Sequence, residues 1–414
     1  MPLSPEIRAD LGRFLSTVEV SSGIGQGRPD GLSRLALSDA DREIRDLFVR
    51  WCSEAGLQVS VDAMGSVFAR REGSEDLPPV LVGSHLDTQV NGGRFDGVIG
   101  VFGALELVRR LNDLGITTRR PIEIVNWTNE EGARYSPPMV AAGCFVGAHS
   151  VEWAHGLRDE DGVSIGEALD TIGYRGAAPV GGREIDSYYE LHIEQADQLD
   201  RSGHQVGIVT HGYRSHGIRV EFRGETGHTG PLPMERRRNA LMAGARLFVA
   251  VDDIGWEHAA TGGKATGARL TASPNKAGIL SDRAEAVCDV RHESPAIADA
   301  MRDRMLQAIE AASEHTGCEA TILDTWSWGG DIFDRELIAT VREAAAVLGY
   351  RAAELPSQAG HDAYFLAQRF PAAMIFTPCK DGITHNNHEL ATPAMLEPGL
   401  NVLLHAVVAR ADRR

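Results

Sequence analysis

The sequence predicts an α/β protein in two parts: a mixed, largely parallel central sheet flanked by helices, and a ferredoxin-like α+β domain inserted into it. Three observations lead there. The chain has 414 residues, beyond the size at which one hydrophobic core usually stops growing. Outside the middle of the chain, short apolar runs alternate with helical stripes, the strand–helix–strand pattern of a sheet covered on both faces. Residues 213–328 change rhythm to β-α-β-β-α-β, a split unit with its own core. The expected boundaries are therefore 1–212 with 329–414 for the first domain and 213–328 for the second.

Taken in order, residues 37–56 carry Ile44, Leu47, Phe48 and Trp51 at helical spacing. VLVGSHLD then reads as a buried strand running into a loop. From Gly97 onwards Val98, Val101, Phe102, Leu105, Val108 and Leu111 recur at three and four, one buried helix face, with Gly115 as the stop. PIEIVNW (121–127), SYYELHIE (187–194) and AAMIFTP (372–378) are further strands, and Asp334 is placed to cap a helix reaching about Leu348. In the inserted part HGIRVEFRG alternates, with Ile218, Val220 and Phe222 on one face. A helix over 238–252, the strands ARLTA and AEAVCDVRHE, a helix over 295–315 opened by Ser294-Pro295, and CEATILDTW complete it.

Composition narrows the function classes. Lys+Arg 41 against Asp+Glu 58 gives a net charge of −17, which argues against a nucleic-acid or anionic-membrane surface. No run of about 18 apolar residues occurs, and the charged start MPLSPEIRADLGRFLSTVEV lacks the apolar core of a signal peptide. The five cysteines are scattered, with no CxxC pair, so a thiolate zinc site and a disulfide framework are both unexpected and a reducing cytoplasm is the simplest compartment.

Ligands of open α/β sheets bind beyond the carboxyl ends of the strands. Here four strand candidates end in metal-type side chains: His85 and Asp87 after VLVGS, Glu130 and Glu131 after PIEIVNW, His192 within SYYELHIE, and His385 and His388 after AAMIFTP. NGGRFDG adds Asp96 just before the 98–111 helix. Each alone has a plainer reading, as a surface pair, a solvated turn or a satisfied core histidine. Their convergence on one sheet edge selects the metal reading. Imidazole and carboxylate without thiolate suit Zn, Mn, Co or Ni, and an Asp between two ions would hold them about 3.5–4 Å apart. Of two adjacent glutamates one can coordinate while the other accepts a proton. Asp87 either hydrogen-bonds the His85 imidazole or caps its loop. In the inserted domain His228 and Asn275 could stabilise an oxyanion and Arg291 could fork onto a carboxylate; the plainer readings are turn residues and a strand-face ion pair.

GSHLDTQVNGGRFDGVIGV, NEEGARY, ELHIEQ, GHTGPLPMERRRNAL, PN before KAG, DVRH, AGHDA and GITHNNHE occur in this order. Together they resemble the M20 metallopeptidase-like family, and within it the amidase branch of N-carbamoyl-L-amino acid amidohydrolases, β-ureidopropionases and allantoate amidohydrolases. The resemblance covers nearly the whole chain. It implies a di-metal catalytic domain with an inserted dimerisation (lid) domain, and a homodimer. Two divalent ions per subunit are implied, one held by His85, Asp96 and His192, the other by Asp96, Glu131 and His385. It makes Glu130 the general base and Asp87 the group that orients His85. Gln195, His228, Asn275, Arg291 and His361 become substrate contacts, His228 reaching the partner subunit's site. His385 is chosen over His388 because the family's last histidine follows a Gly-x-Ser/Thr turn.

The implied activity is hydrolysis of a ureido or amide C–N bond in a carboxylate-bearing substrate. Allantoate, or an N-acyl amino acid or dipeptide, is the alternative substrate. Departures from the family pattern at Ala196, Pro231, Leu232 and SPPMVAAGCF leave the ligand set untouched and bear on the substrate, and His216 has no assigned role. A non-catalytic binding protein would be expected to lose the base or a ligand, and a thiol hydrolase using Cys144 would be indifferent to chelators.

Overall fold

The computed structural model describes residues 3–27, 31–330 and 332–413. In chain order its strands are β1 (Gln58–Val61), β2 (Val67–Arg71), β3 (Val80–His85), β4 (Ile122–Trp127), β5 (Ser187–Ile193), β6 (Val206–Arg223), β7 (Lys264–Ser273), β8 (Arg283–His292), β9 (Glu319–Gly330), β10 (Ala352–Ser357) and β11 (Ala372–Thr377). The chain divides into two compact units, Met1–Thr210 with Ile332–Arg414, and His211–Asp331.

In the first unit the strands run in the order β1-β2-β4-β3-β5-β11. β4, β3, β5 and β11 are parallel, whereas β1 and β2 join antiparallel at one side and the start of β6 pairs antiparallel with β11. The sheet is therefore mixed around a parallel centre. Every residue of β3, β4, β5 and β11 is buried. That explains their unbroken apolar runs, since parallel strands are covered on both faces. The helix Val98–Asp113 packs on β3 with twelve buried residues, and the Pro393–Ala411 helix packs on both it and β11. Gly115, at φ +62°, follows the C-cap Leu114 and ends the first of these helices. The sequence stripe at 37–56 is the helix Asp39–Glu54, whose cap Ser38 accepts the Asp41 N–H at 3.2 Å.

Several elements lie outside the sequence pattern, among them the helix Leu11–Ser22 and β10. β1 and β2 are short and border a turn. Pro393–Ala411 contains Pro398 and buries residues on all sides, so it shows no single apolar stripe.

The second unit follows the order β6, helix Ala240–His258, β7, β8, helix Pro295–Thr316, β9. Its strands are antiparallel, ordered β9-β6-β8-β7. Ile218, Val220 and Phe222 share one buried apolar cluster with Leu247 and Val251 of one helix, Met301 and Met305 of the other, and Ala286 and Cys288 of β8. The other strand face is polar: Arg269 pairs with Glu285 at 3.1 Å and Arg223 with Glu221 at 2.6 Å. His216, unassigned from sequence, bonds Asp299 at 2.8 Å and so ties β6 to the Pro295–Thr316 helix.

Candidate metal centre

Because β3, β4, β5 and β11 are parallel, their carboxyl ends share one edge. His85 is the last residue of β3, and Glu130 and Glu131 lie in the loop after β4. His192 is the penultimate residue of β5, and His385 lies in the loop after β11. Asp96 sits between them. Its Oδ1 is 3.1 Å from His192 Nε2 and 3.9 Å from His85 Nε2; its Oδ2 is 3.3 Å from His385 Nε2. Glu131 Oε2 is 3.2 Å from the same His385 nitrogen, and Glu130 Oε2 is 3.4 Å from His85 Nε2. Two donor groups, His85–Asp96–His192 and Asp96–Glu131–His385, are thus each compact enough to hold a metal ion and share one carboxylate. They are the two sets implied by the resemblance. A third group, Glu190–His192–His361, is equally compact.

The imidazoles are held in one orientation. His85 Nδ1 and His192 Nδ1 each lie 2.9 Å from a peptide carbonyl, those of Asp87 and Ile193. A carbonyl only accepts, so both Nδ1 atoms carry a hydrogen, and in the neutral imidazole each Nε2 turns its lone pair into the site. The Gly97 N–H donates to His192 Nε2 at 3.1 Å. Gly97 itself has φ +66°, and a Cβ there would lie 2.3 Å from the His85 ring, so only glycine lets the two approach.

Asp87 differs from expectation. Its carboxylate is 3.9 Å from His85 Nδ1, while its own carbonyl makes the 2.9 Å contact. The carboxylate instead accepts the N–H groups of Glu130 at 3.4 Å and Glu131 at 3.3 Å. It caps the glutamate loop, and the imidazole is oriented by the main chain.

The electrostatics favour a cation. Burial, and then the carboxylates of Asp362, Glu131, Asp87 and Asp96, push the Glu130 carboxyl well above the usual range. Burial acts to raise Asp96, but His192 and His385 outweigh it and hold its carboxyl well below its ordinary value. Burial disfavours the charged form of His192 and of His385, yet the neighbouring carboxylates raise them to about 9 and about 11. The imidazoles compensate a cluster, buried except at Glu131 and His385, that is richer in carboxylates than in cations, and a divalent ion would do so better while displacing their protons.

The expected substrate contacts are spread over both units. Gln195, at φ +59°, donates from Nε2 to Asp96 Oδ2 at 2.8 Å, so its amide is engaged with the shared carboxylate. His361 is buried edge-on to His192, ring centroids 4.4 Å apart, and bonds Ser357 at 3.1 Å. His228, Asn275 and Arg291 belong to the second unit. His228 is exposed and accepts the Gly230 N–H at 3.1 Å; Asn275 is exposed in the turn after β7. Arg291 on β8 pairs through Nη2 with both Asp289 oxygens at 3.0 Å. His388 is exposed, its N–H bonded to Asn386.

Residues that sequence reasoning passed over support the cluster. Gln89 donates its N–H (3.2 Å) and its amide (3.0 Å) to the Glu131 carboxylate. Glu389 accepts the Phe95 and Asp96 N–H groups. Glu190 accepts from Ser84, Tyr188 and Ala363. Gln89 and Glu389 lie within the quoted motifs HLDTQ and GITHNNHE, the only signal that could have marked them. Cys144 is buried and its thiol pushed up to about 12, which leaves no thiolate for a nucleophile.

Residues 81–409 match the family model of peptidase family M20/M25/M40. The chain belongs to this family. Among M20 relatives it is 40% identical to an N-carbamoyl-L-amino-acid amidohydrolase of Rhizobium meliloti, over 98% of this chain and 97% of that one. It is 30% identical to an allantoate amidohydrolase of Bacillus subtilis, over 93% and 94%. A crystal structure of an amidase of the hydantoinase/carbamoylase family from Burkholderia vietnamiensis superimposes with a TM-score of 0.96 at 42% identity. That match covers 99% of this chain and 100% of the other.

Proposed function

We propose that this M20 amidohydrolase cleaves the ureido C–N bond of an N-carbamoyl-L-amino acid or a similar carboxylate-bearing substrate. The observation that carries the reading is Asp96, whose two oxygens face two separate donor groups while Glu130 stands beside His85 in neither. The full-length likeness to a relative named for that activity supports the substrate class. His85, Asp96 and His192 would hold one divalent ion and Asp96, Glu131 and His385 the other, drawn from Zn, Mn, Co or Ni. Divalent ions, if bound there, would lower the pKa of a water towards neutrality and polarise the scissile carbonyl. Glu130 accepts the proton of the attacking water and passes it to the leaving nitrogen. Arg291 forks onto the substrate carboxylate, Gln195 and His361 border the substrate, and His228, with Asn275, donates to the developing oxyanion.

A substrate panel on metal-reconstituted protein tests the assignment. The N-carbamoyl-L-amino acids are expected to show the highest kcat/KM. A higher value for allantoate, N-acyl amino acids or dipeptides would move the protein to that substrate.

In this reading residues 213–328 form a lid that also dimerises. Among the described residues β7 pairs only with β8 and ends its sheet. The helix packed on β7 exposes Met242 (46%), Val249 (65%) and Trp256 (74%) at seven-residue spacing, an apolar stripe beside an open strand edge. A second copy would cover both. If His228 serves the partner's site, inactive His228→Ala protein mixed with inactive Glu130→Gln protein regains activity. Half of the dimers would then be mixed, each with one intact site, so about a quarter of wild-type activity is expected. No recovery after subunit exchange confirmed by mass spectrometry would place His228 in its own chain's site or in none.

The five cysteines are free and buried, which supports a reducing compartment. No helix among the described residues is long and apolar enough to cross a membrane.

A further inference from the structure

We propose that Glu389 is a positioning residue for the shared carboxylate, clamping the Asp96 loop to the His385 loop; this rests on the metal-site reading above. Glu389 is 5% exposed and lies four residues after His385. Its Oε1 accepts the Phe95 N–H at 2.9 Å and the Asp96 N–H at 3.2 Å, across nearly three hundred residues of sequence. Its Oε2 lies 3.0 Å from the Thr384 hydroxyl, which is also 3.0 Å from Asp96 Oδ2. One carboxylate thus grips the main chain of Asp96 and, through Thr384, touches its side chain.

The seat has no slack. A Cβ on Gly93 would lie 1.9 Å from the Glu389 carboxyl carbon, so the carboxylate rests directly against the backbone that leads into Asp96. Burying a carboxylate is costly unless it is fully hydrogen-bonded. Two amides from the loop that carries Asp96 are aimed at this one, and the single Thr384 hydroxyl hydrogen lies between it and Asp96 Oδ2. A fixed backbone and side chain at Asp96 is what allows its two oxygens to be divided between two ligand groups, and partners of this kind hold ligand geometry in metal sites.

The test compares metal affinity of the full-length protein, titrated with Mn(II) or Zn(II) against a chromophoric chelator, with kcat and KM measured on the same samples. Glu389→Ala is expected to weaken at least one ion by about 10–100-fold, the usual cost of losing such a partner. Glu389→Gln keeps an acceptor for the Phe95 and Asp96 amides and is expected to recover most of the affinity. Thr384→Val removes only the hydroxyl bridge and should fall between them; it decides the matter if Glu389→Ala does not fold. Glu123→Ala is the control for mere destabilisation. That glutamate is equally buried on β4 and pairs with Arg183, and its loss is expected to lower Tm without weakening the metal. Parent-like affinity in both Glu389→Ala and Thr384→Val overturns the inference alone, as does equal metal loss in Glu123→Ala at the same Tm. A parent protein that binds no divalent ion overturns the metal-site reading together with it.

Discussion

Glu130→Gln is expected to bind both ions and to lose about 10²–10⁴ in kcat, the usual cost of removing a general base. The substitution is nearly isosteric, so the N–H that Glu130 donates to Asp87 and the packing beside His85 survive. What disappears is the proton acceptor. Glu131→Gln should behave differently, because Glu131 points at His385 and is held by Gln89. Its amide is a poor ligand, and one ion should weaken while the other stays. Elemental analysis beside steady-state kinetics separates the two. Metal loss in the Glu130 variant with retention in the Glu131 variant would reverse the division of the pair.

The second large effect is at Asp96. Its oxygens face His192 and His385 separately, so Asp96→Ala removes one ligand from each donor group at once. No measurable turnover and no tightly held ion are expected, a more severe outcome than any other single ligand change. Asp96 is also the ionised partner of His192 and His385 and accepts from Gln195 and Thr384, so the metal-free variant should show a lower Tm as well. Retention of one tightly bound ion in Asp96→Ala would mean that the two groups do not share this carboxylate.

Much of the meeting of these side chains was legible in the sequence, because a parallel sheet brings the ends of its strands to one edge. His85, Glu130, Glu131, His192 and His385 each follow or end an apolar run, and those runs are β3, β4, β5 and β11. Spacing reveals proximity but not which atom makes a contact. Asp87 sits two residues from His85 in any strand-to-loop turn, yet its carbonyl faces the imidazole and its carboxylate turns to the next loop. Gln195 was legible as a residue of the site, but its φ of +59°, which turns its amide onto Asp96, follows from no local pattern. Glu389 and Gln89 act through hydrogen bonds between distant loops, and such bonds leave no periodicity. The Pro393–Ala411 helix was hidden by being apolar on all sides and interrupted by Pro398.

The most direct measurement is turnover of an N-carbamoyl-L-amino acid by protein stripped with a chelator and then reconstituted, with metal content determined on each sample. No ammonia release is expected from metal-free protein, and turnover is expected to recover with Mn, Co, Ni or Zn as binding approaches two ions per chain. Full turnover in protein shown to be metal-free would contradict the metal-site reading.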